Sequence, residues 1–349
     1  MSDRIEHISI DDLRTKFPRG LTFSNYKKSH VQKKLLHALY YQKLEESFFW
    51  TCELICSHCY LEIWNIFFEL MSKYVHIDNP KLPLYINKKF KDFKSISYEV
   101  SNDYQLRNHK DVRIIFCSIA TIICYASKTS ILDDLHYKFN FKIENLYDNL
   151  KAPNIEYKNY IYLQHDPKEY IIPFNELIYH LNETHNRINI TYWINWIIHY
   201  DSLCNSKKKQ IFCQPRDIYV HKNEKMSRNI IWILWDIILK KSNSLSKDGK
   251  TLIQNLFDLF VVKYTPSINK KRKYIIYHCV EILLNKSINS SIPLIREHSF
   301  LNDLETNINV IFSQLKKNES HEVPEGVVKE EEKTKNIKFS IFQNALESL

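Results

Sequence analysis

Three cysteines in the first half of the chain have a spacing that could support metal chemistry. Cys52, Cys56 and Cys59 are separated by three and then two residues, as are the thiolates that hold an iron–sulfur cluster in some radical enzymes. Such a cluster needs thiolates that converge from a loop, followed by glycine-rich contacts to a cofactor. Here the cysteines occupy an apolar, aromatic stretch and would share one face of a helix, as core positions do. We therefore expect buried thiols, with a Cys-ligated metalloprotein or iron–sulfur enzyme as the alternative.

A second set of potential ligands surrounds residue 204. Cys204 and Cys213, with His199 and His221 nearby, could supply zinc ligands across the intervening loop. The eight residues between the two thiols make this spacing loose. His199, Asp201 and Cys204 also have the residue types of a nucleophilic triad. On one helix, however, these side chains point in different directions, so we do not expect a hydrogen-bonded relay.

Two runs of cations could contact phosphate groups. They are Lys207-Lys208-Lys209 and Lys270-Lys271-Arg272-Lys273, and Tyr274 follows the second. Four cations at the start of a helix oppose the helix dipole, which favours anions there. A chain that tolerates this arrangement could use the charges on nucleic acid and the tyrosine ring for stacking. The simpler alternative is a solvated helix end, which costs only about tenths of a kcal/mol. These eight residues are the candidate nucleic-acid-binding set.

The scarcity of glycine excludes several other chemistries. The 349 residues include only Gly20, Gly249 and Gly326, and the closest two are 77 residues apart. Phosphate-cradling loops, dinucleotide-binding turns and kinase lids need clustered glycines, because only glycine reaches the required dihedral angles freely. We therefore predict that the protein is not an enzyme and uses no cofactor.

Apolar residues recur at helical spacing along most of the chain and predict an all-α fold. The expected helices cover about 29–40, 45–57, 60–75, 109–128, 174–184, 189–204, 225–242, 247–263, 271–286 and 299–317. The first of them begins at Ser29, where the sequence Ser29-His30-Val31-Gln32 has the form of a capping box.

Prolines at 153, 167 and 173 predict a connector over residues 148–173 between helical subdomains at 1–147 and 174–317. The stretches FFWTCELICSHCY (48–60) and TYWINWIIHYDSLC (191–204) share aromatic and apolar positions, which indicates an internal duplication. Residues 318–349 carry a net charge of −3 and leave +12 for the rest. We expect them to form a flexible acidic tail with a short terminal amphipathic helix, and we expect the positive body to favour anionic partners, DNA or RNA first.

Nothing in the sequence suggests a membrane or secretory location. The N-terminal residues, MSDRIEHISIDDL, are charged and lack an apolar signal core. No apolar run approaches the ~18 residues that a transmembrane helix needs. The eight cysteines therefore predict reduced thiols of an intracellular protein.

Several segments resemble a protein family of the nucleocytoplasmic large DNA viruses, relatives of the mimiviruses, to which no catalytic role is attached. The segments are FPRGLTFSNYKKSHV, EESFFWTCELICSHCYLEIW, NDYQLRNHKDVR, TYWINWIIHYDSLC and IIWILWDIIL, spread over residues 17–242. The resemblance implies a non-enzymatic scaffold or accessory protein for replication or virion assembly. Such a protein would contact viral proteins or itself, in the host cytoplasm (the viral factory) or in the virion.

A shorter stretch, residues 31–86, is similar to the helical collar region of clamp-loader-type ATPases. It shares the order of a helix, the sequence EESFFW, a second helix and the sequence IDNPKLPL. In those proteins the collar drives oligomerisation and a separate module hydrolyses ATP. No Walker A lysine or glycine loop precedes the segment here, so the resemblance implies assembly or DNA-associated work without ATP turnover.

Overall fold

The computed structural model describes residues 10, 14–129, 137, 139, 141, 143–285, 288, 291–295 and 299–316. In these residues it shows fourteen α-helices and no strand, apart from an isolated antiparallel bridge between Leu21 and Lys27. The predicted all-α fold is confirmed for this part of the chain. None of these helices is long and apolar enough to cross a membrane. The predicted acidic tail and terminal helix, 318–349, lie outside the described residues.

The helices are α1 (Lys28–Tyr40), α2 (Leu44–Cys56), α3 (Tyr60–Leu70), α4 (Leu82–Glu99), α5 (Asp103–Asn108), α6 (Lys110–Tyr125), α7 (Ile171–Tyr179), α8 (Arg187–Ser206), α9 (Glu224–Ser227), α10 (Ile231–Ser242), α11 (Lys247–Phe260), α12 (Ile268–Lys271), α13 (Lys273–Leu284) and α14 (Ser299–Lys316). Wide π-type turns, Met71–Val75 and His180–Thr184, extend α3 and α7.

The helices differ from the predicted ones at several places. The capping box at Ser29 is wrong, because α1 already begins at Lys28, and Lys27, the residue before it, makes no side-chain cap in the described structure. The predicted helix 225–242 is interrupted around Asn229, whose side-chain oxygen accepts the amide of Ile231 at 3.0 Å. The sequence also missed α4, whose lysine-rich surface hides the helical spacing of buried Ile86 and Phe93.

The described residues form two compact units. One takes them from Met1–Met71, Leu84–Thr129 and Ile292–Leu349, and the other from Ser72–Pro83 and Ser130–Ser291. This division differs from the predicted subdomains 1–147 and 174–317 at several places. Residues 72–83 belong to the second unit, and α14 packs on α2 and α6 in the first. The predicted connector, residues 148–173, lies within the second unit.

The first unit is built around α2, in which twelve of thirteen residues are buried. The buried carboxylate of Glu53 on this helix accepts hydrogen bonds from the amide and the hydroxyl of Ser24, both at 2.7 Å. It also pairs with the ammonium group of Lys316 at the end of α14. A buried charge that loses its partner is costly, so this pair fixes α14 against α2.

The second unit has a core in which α10 packs against α11 and α13, with buried tryptophans on α8 and α10. Trp193, Trp232 and Trp235 are each fully buried. The predicted connector, residues 148–173, is tied to this core by buried Arg216. This guanidinium donates to Asp166 at 2.9 Å and to Asp236 of α10 at 3.2 Å. The connector is therefore anchored by charge as well as by packing.

Candidate functional site

The three cysteines of the first unit are buried but do not lie on one helix. Cys52 and Cys56 are one turn apart on α2, and burial, followed by the hydrogen bond with Cys56, raises the pKa of Cys52. His58 then adopts a left-handed φ of 57°, which turns the chain before Cys59. The thiol of Cys59 donates to the carbonyl of Ser57 at 3.3 Å. No three His, Cys, Asp or Glu side chains in the described part are arranged to hold a metal ion.

Cys204 and Cys213 also have separate partners. Cys204 on α8 interacts with Tyr200. The thiol of Cys213 donates to the carbonyl of Asn229 at 3.2 Å, and burial raises its pKa to about 12. His221, the outlying candidate ligand, is exposed. These contacts bind the two thiols into the packing of the second unit.

The members of the apparent triad on α8 point to different neighbours. The ring of His199 packs against Phe139, with 5.4 Å between ring centres. The carboxylate of Asp201 accepts a hydrogen bond from Asn229 at 3.4 Å. Burial raises the pKa of Asp201 to about 6 against the hydrogen bonds from Asn229 and Asn205. This geometry is that of separate core contacts.

The first basic run follows the C-terminus of α8. Lys207, Lys208 and Lys209 are all exposed, and Lys208 adopts a left-handed φ of 60°. The ammonium group of Lys209 lies 3.1 Å from the carboxylate of Glu169, which offsets part of the positive charge of this run.

The fold divides the second basic run. Lys270 and Lys271 are exposed at the end of α12, and Lys273 is half-buried at the start of α13. Arg272 between them is buried, and its guanidinium donates at 2.6 Å to the carbonyls of both Phe260 and Val262. A helix leaves its last carbonyls without partners in the helix itself, so Arg272 caps the C-terminus of α11. Burial lowers its pKa to about 10. The solvent-facing part of the run is therefore formed by its lysines.

Tyr274 brings together two lysines from distant parts of the sequence. The ammonium group of Lys73 lies 4.8 Å from the centre of this ring, and that of Lys273 lies 5.2 Å from it. Aromatic rings attract cations at such distances. We call Lys73, Lys270, Lys271, Lys273 and Tyr274 the basic surface of the second unit.

The lysines of the basic surface also act on side chains of α8. Burial lowers the pKa of His199, and the positive charges of Lys270 and Lys273 lower it further. The side chain of Lys273 also lies 3.5 Å from the amide oxygen of Asn195 on the same helix. Segments that are separate in sequence thus contribute to one positive region.

A small recess adjoins the basic surface. It has room for about one water molecule, and Lys73 and Tyr274 form its half-buried rim. The rest of its lining is buried and consists of Ser72, His76, Tyr277, His278 and Glu281. His76 and His278 lie with 6.3 Å between ring centres. Burial, and then His76, lowers the pKa of His278 to about 3, so this imidazole is neutral.

Sequence reasoning identified Tyr274 and the lysines beside it but missed Lys73 and the buried lining of the recess. One signal was present: SKYVH at 72–76 and RKYIIYH at 272–278 share a lysine–tyrosine pair followed by a histidine. Comparison with protein families, curated proteins and solved structures finds no match to this chain. The viral and clamp-loader resemblances therefore stay predictions.

Proposed function

We propose that this chain is a non-enzymatic accessory or scaffold protein that binds nucleic acid through the basic surface of its second unit. The observation that carries the proposal is the convergence of Lys73 and Lys273 on Tyr274, next to exposed Lys270 and Lys271. Lysine ammonium groups contact phosphates as point charges, without a need for planar geometry.

Lysines that are held in place should bind a phosphate backbone more tightly than the lysines of a solvated helix end. In a solvated end each lysine moves independently, and holding several of them together costs side-chain entropy on binding. Here the ring of Tyr274 restrains two of the ammonium groups before any ligand arrives. Such preorganisation reduces the entropic cost of association.

The different contacts of Arg272 and of the lysines beside it also support nucleic-acid binding by the lysines. Arg272 is occupied by the carbonyls at the end of α11, whereas its lysine neighbours face solvent or the ring of Tyr274. The binding energy should then depend on salt and only weakly on base sequence, because phosphate contacts carry no sequence information directly.

The scaffold part of the proposal rests on the viral and collar-like resemblances of the sequence. They suggest that nucleic-acid binding serves replication or virion assembly, with viral proteins or further copies of this chain as protein partners.

Fluorescence anisotropy with a labelled 20-nucleotide single strand tests the proposal. The variant in which Lys73, Lys270, Lys271 and Lys273 are all replaced by alanine should bind at least about tenfold more weakly than wild type at low salt. The same measurement with duplex DNA and with RNA would show which nucleic acid is preferred.

A matched control removes the same number of charges from the first unit. It replaces Lys33, Lys88, Lys91 and Lys94, four lysines on α1 and α4 that are exposed, with alanine. This control should retain most of the affinity. Equal losses in both variants would mean that only the overall charge matters, and unchanged binding in the first variant would remove the basic surface from the function.

A further inference from the structure

Three aromatic rings of the second unit form a series that runs from the core to the surface. The ring of Tyr219 lies on the buried ring of Trp232, with 4.1 Å between ring centres and 21° between ring planes. The rings of Tyr219 and His221 are almost parallel, at 4°, with 6.2 Å between their centres. Tyr219 is half-buried and His221 is exposed. This ring stack (Trp232, Tyr219 and His221) therefore ends in a ring that solvent reaches.

The two outer rings of the stack are held in position. Tyr219 is covered by Trp232, and the ring of Tyr264 meets it edge-on at 5.5 Å. The Nδ1 atom of His221 accepts a hydrogen bond from the backbone amide of Asn223 at 3.0 Å, which orients the imidazole. Side chains that are already oriented lose little conformational entropy when a ligand stacks on them.

The ring stack is connected to the helix that carries two lysines of the basic surface. Its loop ends at Asn229, whose side-chain oxygen accepts a hydrogen bond from Asn269 of α12 at 3.0 Å. The two exposed lysines of α12 directly follow Asn269. Tyr264, which contacts Tyr219, lies four residues before the start of α12. The ring stack and these lysines therefore belong to adjoining segments of the same unit.

The loop of the ring stack, residues 217–228, is weakly positive. Its three cations outnumber its two carboxylates, and the charged residues are Lys222, Lys225, Arg228, Asp217 and Glu224. Glu224 is paired with Arg228 at 3.4 Å, which leaves two exposed lysines and one exposed carboxylate. Together with the lysines of α12, this balance favours a ligand that carries phosphates over an apolar protein segment.

An unpaired base is the ligand that these features favour. Every base has a flat π-face, and stacking on aromatic side chains, histidine among them, binds single strands with little dependence on sequence. In a duplex both faces of a base are covered by its neighbours until the base leaves the helix. An exposed ring beside phosphate-binding lysines therefore suits a single strand.

We propose that an unpaired base of a nucleic-acid strand stacks on the exposed ring of His221, while phosphates of the same strand contact Lys270 and Lys271. This inference rests on the proposed function and deepens it, because it makes single strands the preferred ligand. The ring stack adds a contact with the bases that the lysines alone do not make.

The first arm of the test compares two 12-nucleotide strands with the same phosphates and the same 3′ label: oligothymidylate and a strand that lacks every base. Wild type should bind oligothymidylate at least about fivefold more tightly in fluorescence anisotropy, as expected for one stacked base. His221→Asn removes the ring but keeps a side-chain acceptor for the amide of Asn223, so it should fold like wild type. It should lower the preference for oligothymidylate below about twofold.

The matched variant is His221→Phe, which keeps a ring and loses the acceptor. It should keep the preference for oligothymidylate. His165→Ala, a change at another exposed histidine of the same unit, should keep it as well. A preference that survives in His221→Asn would place the base contact elsewhere. Equal losses in His221→Asn and His221→Phe would assign the effect to the acceptor, and either result would overturn the inference.

The second arm uses adenosine alone, which has a base but no phosphate, and records the ring-proton NMR signals of histidine. The signals absent from His221→Asn identify His221, and they should shift upfield when adenosine is added to wild type. Equal binding of both strands with no shift of His221 would overturn the stacking site and leave the proposed function standing. A shift with adenosine but no binding of either strand would keep the stacking site and remove the nucleic-acid function.

Discussion

Lys73 and Tyr274 are about 200 residues apart in the sequence, yet the ammonium group of Lys73 lies 4.8 Å from the centre of the tyrosine ring. Lys73 belongs to the π-type turn after α3, and Tyr274 lies in the first turn of α13. Both belong to the second unit. The pair joins the predicted basic run to a cation that the sequence did not connect with it.

Replacing Tyr274 separates the role of its ring from that of its hydroxyl. Tyr274→Leu removes the aromatic face that attracts both ammonium groups, so binding of a single strand should weaken about three- to tenfold. Tyr274→Phe keeps the face and should bind like wild type. Anisotropy measures both affinities, and thermal melting checks folding. Equal losses in the two variants would assign the effect to the hydroxyl and contradict the cation–ring account.

Arg272 should behave differently from the lysines beside it. Arg272→Ala removes the donor to the carbonyls at the end of α11 and should lower the free energy of unfolding by about 3 kcal/mol. The folded variant should still bind nucleic acid like wild type. Urea denaturation and anisotropy check the two effects. A variant with normal stability but lost binding would assign Arg272 to the ligand.

The ion pair between Glu53 and Lys316 should dominate the stability of the first unit. Lys316→Met leaves a buried carboxylate without its cation, so the free energy of unfolding should fall by about 3–5 kcal/mol. The double variant Glu53→Leu/Lys316→Met leaves neither charge unpaired and should be more stable than the single one. Urea denaturation checks both, and a loss below about 1 kcal/mol in Lys316→Met would contradict the buried pair.

His278 should make the protein less stable in mild acid. Burial, and then His76, lowers its pKa from 6.5 to about 3. At a pH between these two pKa values, His278 binds a proton in the unfolded chain but not in the folded chain. Stability is therefore complete above pH 6.5 and decreases as the pH falls through this window. At pH 5 this histidine alone should lower the free energy of unfolding by about 2 kcal/mol relative to pH 7.5.

The variant His278→Gln, which cannot titrate, isolates this contribution. Urea denaturation at pH 7.5 and pH 5 should show a smaller acid-induced loss in the variant than in wild type, by about 2 kcal/mol. His180, whose pKa burial lowers to about 4, is present in both proteins and cancels in the comparison. Identical losses would mean that His278 is already protonated or exposed.

Periodicity predicted the fold well where one helix face is strongly apolar. Buried residues spaced by three and four, such as Trp64, Phe67 and Phe68 in α3, produce a pattern that survives without any tertiary information. It failed for α4, where lysines separate Ile86 from Phe93. The predicted start at Ser29 failed for another reason. A capping motif in the sequence does not show which residue the chain uses as the cap.

The candidate site could be predicted only in part, for a physical reason. Lys270, Lys271 and Tyr274 form a local run and are visible in the sequence. The role of Arg272 depends on carbonyls of Phe260 and Val262 that tertiary packing brings to it. The contact of Lys73 with Tyr274 likewise exists only after folding, and the shared lysine–tyrosine pair in the sequence does not show that the two segments meet.

The salt dependence of binding tests the central claim most directly. The observed binding constant for a single strand should fall with salt, and in Lys270→Ala/Lys271→Ala the slope of log K against log salt should be shallower than in wild type by about 1.4 units, two lost phosphate contacts. A slope that is unchanged in this variant, or absent in wild type, would contradict a nucleic-acid surface at this place.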